Sequence, residues 1–344
     1  MATKASAYTT IYRILAFLLV SQSLYSQYSD MLAVDPKLRM SMSYLTQVNA
    51  EFSGPSVNFS PTYPQGEFDN GYVNDSSGLG SDTWDWGFNE SSQILKNDLI
   101  SFSRTSFSGP QFSSNPTEGS AGLRFDWIPN TLSTSRMAFS SVFSLDARLL
   151  DIESQAMLPA GFETLTKYYS HANFDPTLLT LPHAGTDGDP LLSSSPSKSK
   201  TFALDDGATL HRYMGLEGAL ISLGAGGEVH IGIIRNLSLF LQAQVLANLY
   251  FGKFEHGEYF LLNEPYGRQN FPYGQRNASH DISEMLFGLS GGAGFQWRFG
   301  DYSSLLFSVS KIINEKLEGN ESGYNYYLNL NDGYYMVAGI QIEY

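Results

Sequence analysis

The residues in this sequence best suited to chemistry are a glutamate and a histidine two positions apart. In an extended chain Glu228 and His230 point to the same face, and Glu217 could join them inside a polar interior. A carboxylate beside an imidazole can take up or give up a proton, which would suit a membrane-embedded hydrolase. A network of interior charges explains the pair equally well. Its further candidate members are Arg124, Asp126, Arg148 and Arg298.

The spacings that mark common catalytic and metal centres are missing around these residues. No two of the six histidines stand four positions apart, as a zinc-protease helix would require. Without cysteine the chain can form no disulfide, no Cys-ligated metal site and no thiol nucleophile. The loop aspartates have no calcium-loop spacing; they are Asp187, Asp189, Asp205 and Asp206. We therefore predict no catalytic residue, no cofactor and no metal site.

The charge balance limits the partners and the class of protein. The 344 residues include 20 Lys and Arg against 34 Asp and Glu, for a net charge of −14. This surplus of acid opposes binding to a phosphate backbone, so we expect no nucleic-acid partner. The longest purely apolar run, Ile14–Val20, has seven residues. A membrane-spanning helix needs about 20, so a helical membrane protein is excluded.

The first 26 residues have the layout of a cleaved export signal. Two basic residues precede the apolar run, and Ser21, Gln22 and Ser23 follow it. Cleavage after Ser23 or after Ser26 would fit this pattern. We predict a signal peptide at 1–26 and a single mature domain at 27–344.

The mature chain repeatedly alternates apolar with small or polar residues at a period of two. In 237–251, for example, Leu239 and Leu241 fall on one face, and Gln242 and Gln244 fall on the other. This period is typical of strands with one apolar face. Segments with the same alternation are 40–52, 119–128, 136–149, 286–299 and 334–344, and weaker candidates are 83–89, 98–107, 226–234 and 303–313.

Strand length separates a membrane barrel from a soluble sandwich. Soluble strands usually have about 5–6 residues, whereas a tilted membrane-spanning strand needs about 9–11. Several of these segments alternate over more than ten residues, with Gly, Ser, Gln and Asn opposite the apolar face. We therefore predict an all-β, closed antiparallel transmembrane β-barrel in the outer membrane.

Loop lengths predict the strand count, because outer-membrane barrels have short periplasmic turns and long outer loops. Three short turns alternate with four long segments along the chain. The short turns are 129–135, 235–236 and 300–302, and the long segments are 53–82, 150–210, 252–283 and 314–333. Two further turns, 90–97 and 108–118, separate the weaker strands. This arrangement gives about ten strands. Splitting 209–234 at Gly224–Gly227 into strands 211–222 and 226–234, together with a further strand at 162–171, would give twelve, unless 209–234 is one long strand that projects above the membrane.

The C-terminal segment GYYMVAGIQIEY, which ends in Tyr344, resembles the assembly signal of Gram-negative outer-membrane barrels. The run NLSLFLQAQVLANLYFGKF at 236–254 and the preceding glycines resemble the Legionella-type major outer-membrane, pore-forming family. The resemblance implies a barrel that forms a pore. It also implies contact with outer-membrane lipid and lipopolysaccharide, and with the assembly machinery through the C-terminal strand.

Two functions remain open at this stage. The first is a porin-like or structural barrel without catalysis. The second is an outer-surface binding or adhesion barrel that acts through its long loops, which are rich in proline, glycine and serine. A membrane-embedded hydrolase is a third and more distant option.

Overall fold

The computed structural model describes residues 33–34, 36–61, 66–74, 81–96, 98–129, 131–133, 137–171, 174–186, 189–266 and 272–343. The predicted signal peptide and Tyr344 lie outside these residues. Within them, no helix is both long and apolar enough to cross a bilayer.

Eight strands form a closed antiparallel ring. Each ring strand pairs with its neighbour in the chain, and the last pairs with the first, so Met40 lies opposite Ile340. The first four ring strands are β1 (Lys37–Gly54), β2 (Thr117–Ile128), β3 (Met137–Ser170) and β4 (Lys198–Ile234). The other four are β5 (Leu237–Leu262), β6 (Tyr273–Arg298), β7 (Ser303–Asn314) and β8 (Tyr334–Glu343).

The connections at one end of the ring are short. This end holds Arg235 and Asn236, residues 299–302, and the short strand Thr131–Ser133, which pairs with Ala33–Val34. Both ends of the described chain lie here, since Lys37 pairs with Glu343. The predicted alternation of short and long connections is therefore confirmed at these three turns.

At the other end the strands continue into an extension. The long strands β3 and β4, of 34 and 37 residues, run side by side into it. The first ring connection adds Val57–Phe59, Glu67–Phe68, Gly71–Val73, Asp82–Thr83, Trp86–Phe88, Ile94–Leu95, Leu99–Gly109, Phe112–Ser114 and the 3-10 turn Ser91–Gln93. Later connections add the 3-10 turn Pro176–Leu178 and the strands His183–Ala184, Leu192–Ser193, Leu317–Glu321 and Tyr324–Asn329.

The predicted count of ten strands is not confirmed, because two of the expected strands lie outside the ring. Leu99–Gly109 pairs with the far part of β3, residues 161–170, and Trp86–Phe88 belongs to a small separate sheet. The segments 150–210 and 252–283, expected to be loops, are largely strand. Alternation indicates a half-buried strand but does not tell whether lipid or protein covers its apolar face. The alternative of one long strand through Gly224–Gly227 agrees with β4.

The outer face of the ring is apolar near the short turns and becomes charged further along the same strands. On β5 the outward residues run from Leu239 to Phe251 before Lys253 follows, and on β3 they end at Leu149 before Asp151. We call the apolar zone the belt and the part of the ring and its connections beyond it the extension. The apolar belt is the face that lipid covers in a transmembrane barrel.

Candidate functional site

The interior near the short turns is crossed by a buried ion pair between opposite walls. Arg39 of β1 donates from both terminal nitrogens to Glu228 of β4, at 2.6 Å for Nη1 to Oε2. Arg39 Nε also donates to Gln341 Oε1 at 2.7 Å, and His230 Nε2 lies 2.6 Å from Glu228 Oε1. Arg39, Glu228 and Gln341 are each almost fully buried. The predicted proximity of Glu228 and His230 is confirmed.

This arrangement fits an ion-pair network better than a catalytic dyad. Arg39 binds both oxygens of Glu228, which leaves the carboxylate poorly placed to exchange a proton with a substrate. Glu217, the expected third member, faces outward, because its side chain is 61% exposed and lies 3.2 Å from Lys253. That expectation was wrong, because Glu217 and Glu228 are eleven positions apart on one regularly paired strand, and an odd separation places two residues on opposite faces. Gly288–Gly292 has the order Gly-x-Ser-x-Gly, but it lies within strand β6, whereas a nucleophile elbow stands between a strand and a helix.

A second charged layer crosses the middle of the bore. Arg124 bonds Asp126 at 2.7 Å, and Arg148 bonds Asp146 at 2.6 Å. Asp146 also accepts from Ser43 and, at 2.5 Å, from the hydroxyl of Tyr335. Both guanidinium groups lie beside the Tyr335 ring, at 5.5 Å and 4.9 Å from its centroid. The layer ties β1, β2, β3 and β8 together across the bore.

Little free space is left around these charges. A cavity of about 20 Å³ lies beside the middle layer, which is room for about one water molecule. A second cavity of about 220 Å³ opens at the short-turn end and is lined by Arg39, Glu228 and Arg298 among others. Arg298, an expected network member, is half exposed there and lies 3.4 Å from Glu343. The network prediction is thus confirmed for Arg124, Asp126 and Arg148, whereas Arg298 lies at its edge.

Above the middle layer the interior becomes apolar. One buried cluster combines ring residues with residues of the connections, for example Phe52, Ile152, Phe254 and Tyr326. Phe52 and Phe254 stack at 6.2 Å between opposite strands. Two further clusters, around Phe107 and around Trp86, continue toward the far end of the extension. The bore is therefore filled by apolar side chains beyond the charged layers.

A buried polar group anchors the first ring connection inside the extension. Arg212 lies 3.1 Å from Glu258, which also accepts from the Tyr324 hydroxyl at 2.6 Å. Arg212 further donates to the carbonyl of Pro55 at 2.5 Å. His256 stacks on Tyr324 at 3.9 Å, and burial lowers the pKa of His256, so its ring is neutral at pH 7. The contacts of Arg212 hold the connection against the ring.

The expected absence of a metal site concerns the acidic loop residues. Asp189 accepts from the backbone of Thr186 at 2.6 Å, which closes a turn, and Asp205 and Asp206 are exposed near the far end of β4. Asp187 lies outside the described residues. Across the described part of the chain, no group of three or more His, Asp or Glu side chains is placed to hold a metal ion.

Several members of these layers escaped the sequence reasoning. Tyr335 alternates with apolar residues on a predicted strand, and Arg39 directly precedes the predicted strand 40–52, so the alternation predicted the inward direction of both. Their partners were not readable, since Arg39 and Glu228 stand 189 positions apart in the chain. Glu258 lies on a segment expected to be a loop, and Arg212 lies in 209–234, whose division into strands was left open, so no face was assigned to either residue.

Comparisons with known proteins give no family. No protein-family model matches the chain, and no curated protein matches its sequence. Among solved structures, the outer membrane protease OmpT from Escherichia coli aligns over 91% of this chain and 99% of its own, at 6% identity and a TM-score of 0.25. The translocator domain of autotransporter NalP from Neisseria meningitidis covers 96% and 97%, at 9% identity and a TM-score of 0.19.

A third structure, a Pseudomonas aeruginosa FadL homologue, covers 90% of each chain at 8% identity and a TM-score of 0.19. Scores this low carry no argument about activity. The resemblance to the Legionella-type family gains no support from a matching family model and stays a prediction.

Proposed function

We propose that this protein is an outer-membrane β-barrel that binds ligands through its extension and does not conduct solutes. The observation that carries the proposal is the filled bore. The Arg39–Glu228 pair and the layer around Asp146 cross it within the belt, and the cluster around Phe254 fills it beyond. A ring of eight strands is just wide enough for side chains to fill its interior, whereas aqueous channels occur in rings of about 16–18 strands.

The belt supports the membrane location. On β5 the outward apolar residues extend from Leu239 to Phe251, a stretch longer than the roughly 9–11 residues that a tilted strand needs to span the hydrocarbon. Closure of the ring between β1 and β8 leaves no unpaired strand edge inside the lipid. The outer membrane is the location that the N-terminal export signal and the C-terminal strand predict.

The extension supports a binding role. It contains the long connections of the ring, folded into strands over two further apolar clusters. Binding residues are often carried by connecting segments that a rigid scaffold positions. Here the scaffold continues directly from the ring, because β3 and β4 stay paired from Met137 to Tyr168.

Conductance of the refolded full-length protein in a planar bilayer tests the closed bore, with a 16-stranded porin as the positive control. We expect no stepwise current. Binding is tested on an array of immobilised glycans and extracellular proteins, with intact protein and with protein whose extension has been removed by protease. We expect binding by the intact protein only. Stable current steps, or no binding by the intact protein, would contradict the proposal.

A further inference from the structure

A hollow on the outer wall of the extension is formed around a glycine. Gly257 of β5 lies directly between Tyr213 of β4 and Asn277 of β6, and all three positions face outward. Because Gly257 has no side chain, a cavity of about 350 Å³ opens over its backbone. A Cβ at this position would lie 2.5 Å from Asn277 Oδ1. The outward side chains that line the hollow are Gln155, Met157, His211, Tyr213, Tyr259, Gln275 and Asn277.

Aromatic rings form two sides of the hollow. His211 and Tyr259 stack nearly parallel, with ring centroids 4.7 Å apart and an angle of 7°. The Tyr213 ring extends over Gly215, where a Cβ would lie 2.7 Å from the Tyr213 hydroxyl. That hydroxyl donates to Glu153 at 3.4 Å. The rings are thus held by contacts within the wall and present apolar surface to the hollow.

The outward side chains of the lining are uncharged at neutral pH, and the two charged residues that also border the hollow, Arg212 and Glu258, are buried and paired with each other. Burial lowers the pKa of His211, so its ring is neutral at pH 7. Burial, with the carboxylates of Glu153 and Glu255, raises the pKa of Tyr213 to about 12. The remaining polar side chains are amides, each of which offers both donors and an acceptor. A charged ligand would therefore find no counter-charge on these side chains.

We propose that this hollow binds a neutral saccharide. A sugar ring has apolar C–H faces that can lie on the aromatic rings, and a rim of hydroxyl groups that both donate and accept hydrogen bonds. Gln155, Gln275 and Asn277 supply amides around that rim. Concave sites with mainly apolar walls and a few convergent polar groups are the usual form of small-molecule sites. The inference rests on the proposed binding role of the extension.

The position of the hollow selects a sugar of the surrounding membrane. Gly257 lies six residues beyond Phe251, the last apolar outward residue of β5. Six residues extend about 20 Å along a strand, or roughly 14 Å above the belt at a tilt of about 45°. The hollow opens sideways on the wall and not at the far end of the extension. We assign it to the oligosaccharide of a neighbouring outer-leaflet glycolipid.

Titration of the refolded full-length protein with a lipid-free, uncharged hexose oligosaccharide from the outer part of the lipopolysaccharide core, which carries no phosphate and no acidic sugar, tests the assignment. We expect binding by the wild type. Gly257→Leu fills the hollow and should weaken binding at least tenfold, and Tyr259→Ala removes one aromatic wall and should have a similar effect. The matched control is Gly291→Leu on the belt, where an added Cβ meets nothing within 4 Å. Its affinity should equal that of the wild type.

Heat-modifiable gel mobility identifies any variant that has not folded, and Tyr259→Ala then replaces Gly257→Leu as the decisive comparison. Failure of the wild type to bind the core oligosaccharide would overturn the inference, as would equal affinities of wild type and folded variants. If a ligand from the array still binds Gly257→Leu, the hollow is not its binding site, although the extension does bind ligands. If a glycan from the array binds at the hollow and the core oligosaccharide does not, the hollow binds a saccharide that does not come from the surrounding membrane.

Discussion

The belt and the extension distribute polar and apolar residues differently between the inward and outward faces of the same strands. Along β5 within the belt, Leu241 and Val245 face outward, and Gln244 and Asn248 face the interior. Beyond Phe251 the outward face carries Lys253 and Glu255, and the inward face carries buried phenylalanines such as Phe254 and Phe260. The strand continues without interruption, but the outward face changes from apolar to charged, and the inward face gains buried aromatic side chains.

This difference shows that the surroundings, and not the fold, decide which face is apolar. Lipid covers the outside of the belt, so polar groups collect in the bore, where each must find partners. Water covers the outside of the extension, so the hydrophobic effect drives apolar side chains inward. Asp151 on β3 and Lys253 on β5 mark the level at which the outer surroundings change from lipid to water.

The largest effect should come from removing one partner of a buried charge in the belt. Glu228→Gln leaves Arg39 buried without its carboxylate partner, and breaking such a pair costs about 3–5 kcal/mol. Unfolding by urea in lipid vesicles measures the change in the free energy of unfolding. The control is Glu255→Gln in the extension, where the pair with Lys253 is exposed. Its cost should be below about 1 kcal/mol. Equal costs would mean that the bore is hydrated.

A smaller effect should follow from placing a charge on the outer face of β6. Leu289→Arg puts a guanidinium into the lipid and should cost roughly 2–4 kcal/mol near the bilayer midplane. Ser279→Arg lies on the same face of β6 in the extension, opposite Glu255, and should change stability by less than about 0.5 kcal/mol. The same vesicle unfolding assay compares them. Similar losses of unfolding free energy at the two positions would contradict the boundary between belt and extension.

The smallest effect should separate protein packing from lipid packing. Ile152→Val removes a methylene from the fully buried cluster of the extension, which should cost about 0.5–1.5 kcal/mol because a small cavity remains. Ile340→Val removes the same group from the lipid-facing side of β8. Lipid chains can fill that space, so its cost should be the smaller one. A larger cost at Ile340 would contradict the assignment of the two faces.

The sequence predicted the belt better than the extension. The period-two pattern located all eight ring strands and the inward direction of Arg124, Asp126 and Arg148. In 98–107 the same pattern predicted a ring strand, but protein and not lipid covers that apolar face. The far parts of β3 and β4 were expected to be loop because their outward faces are polar.

Long-range partners of the candidate site could not be predicted from spacing. The glutamate–histidine pair was predictable because Glu228 and His230 are close neighbours on one strand face. Their shared partner Arg39 lies on the opposite wall, and only ring closure and register bring it there. Glu217 was misplaced although it stands an odd number of positions from Glu228, which on one unbroken strand puts the two residues on opposite faces.

The most direct test of the exchanged polarity is a single-cysteine scan along β5. The chain has no cysteine, so each variant from Leu239 to Tyr259 carries one thiol. Nitroxide labels on these thiols report collisions with lipid-soluble oxygen and with a water-soluble nickel complex. We predict oxygen access at outward positions up to Phe251, nickel access at outward positions from Lys253, and access to neither reagent at every inward position. Nickel access at Gln242, Gln244 or Asn248 would reveal an aqueous bore and contradict the account.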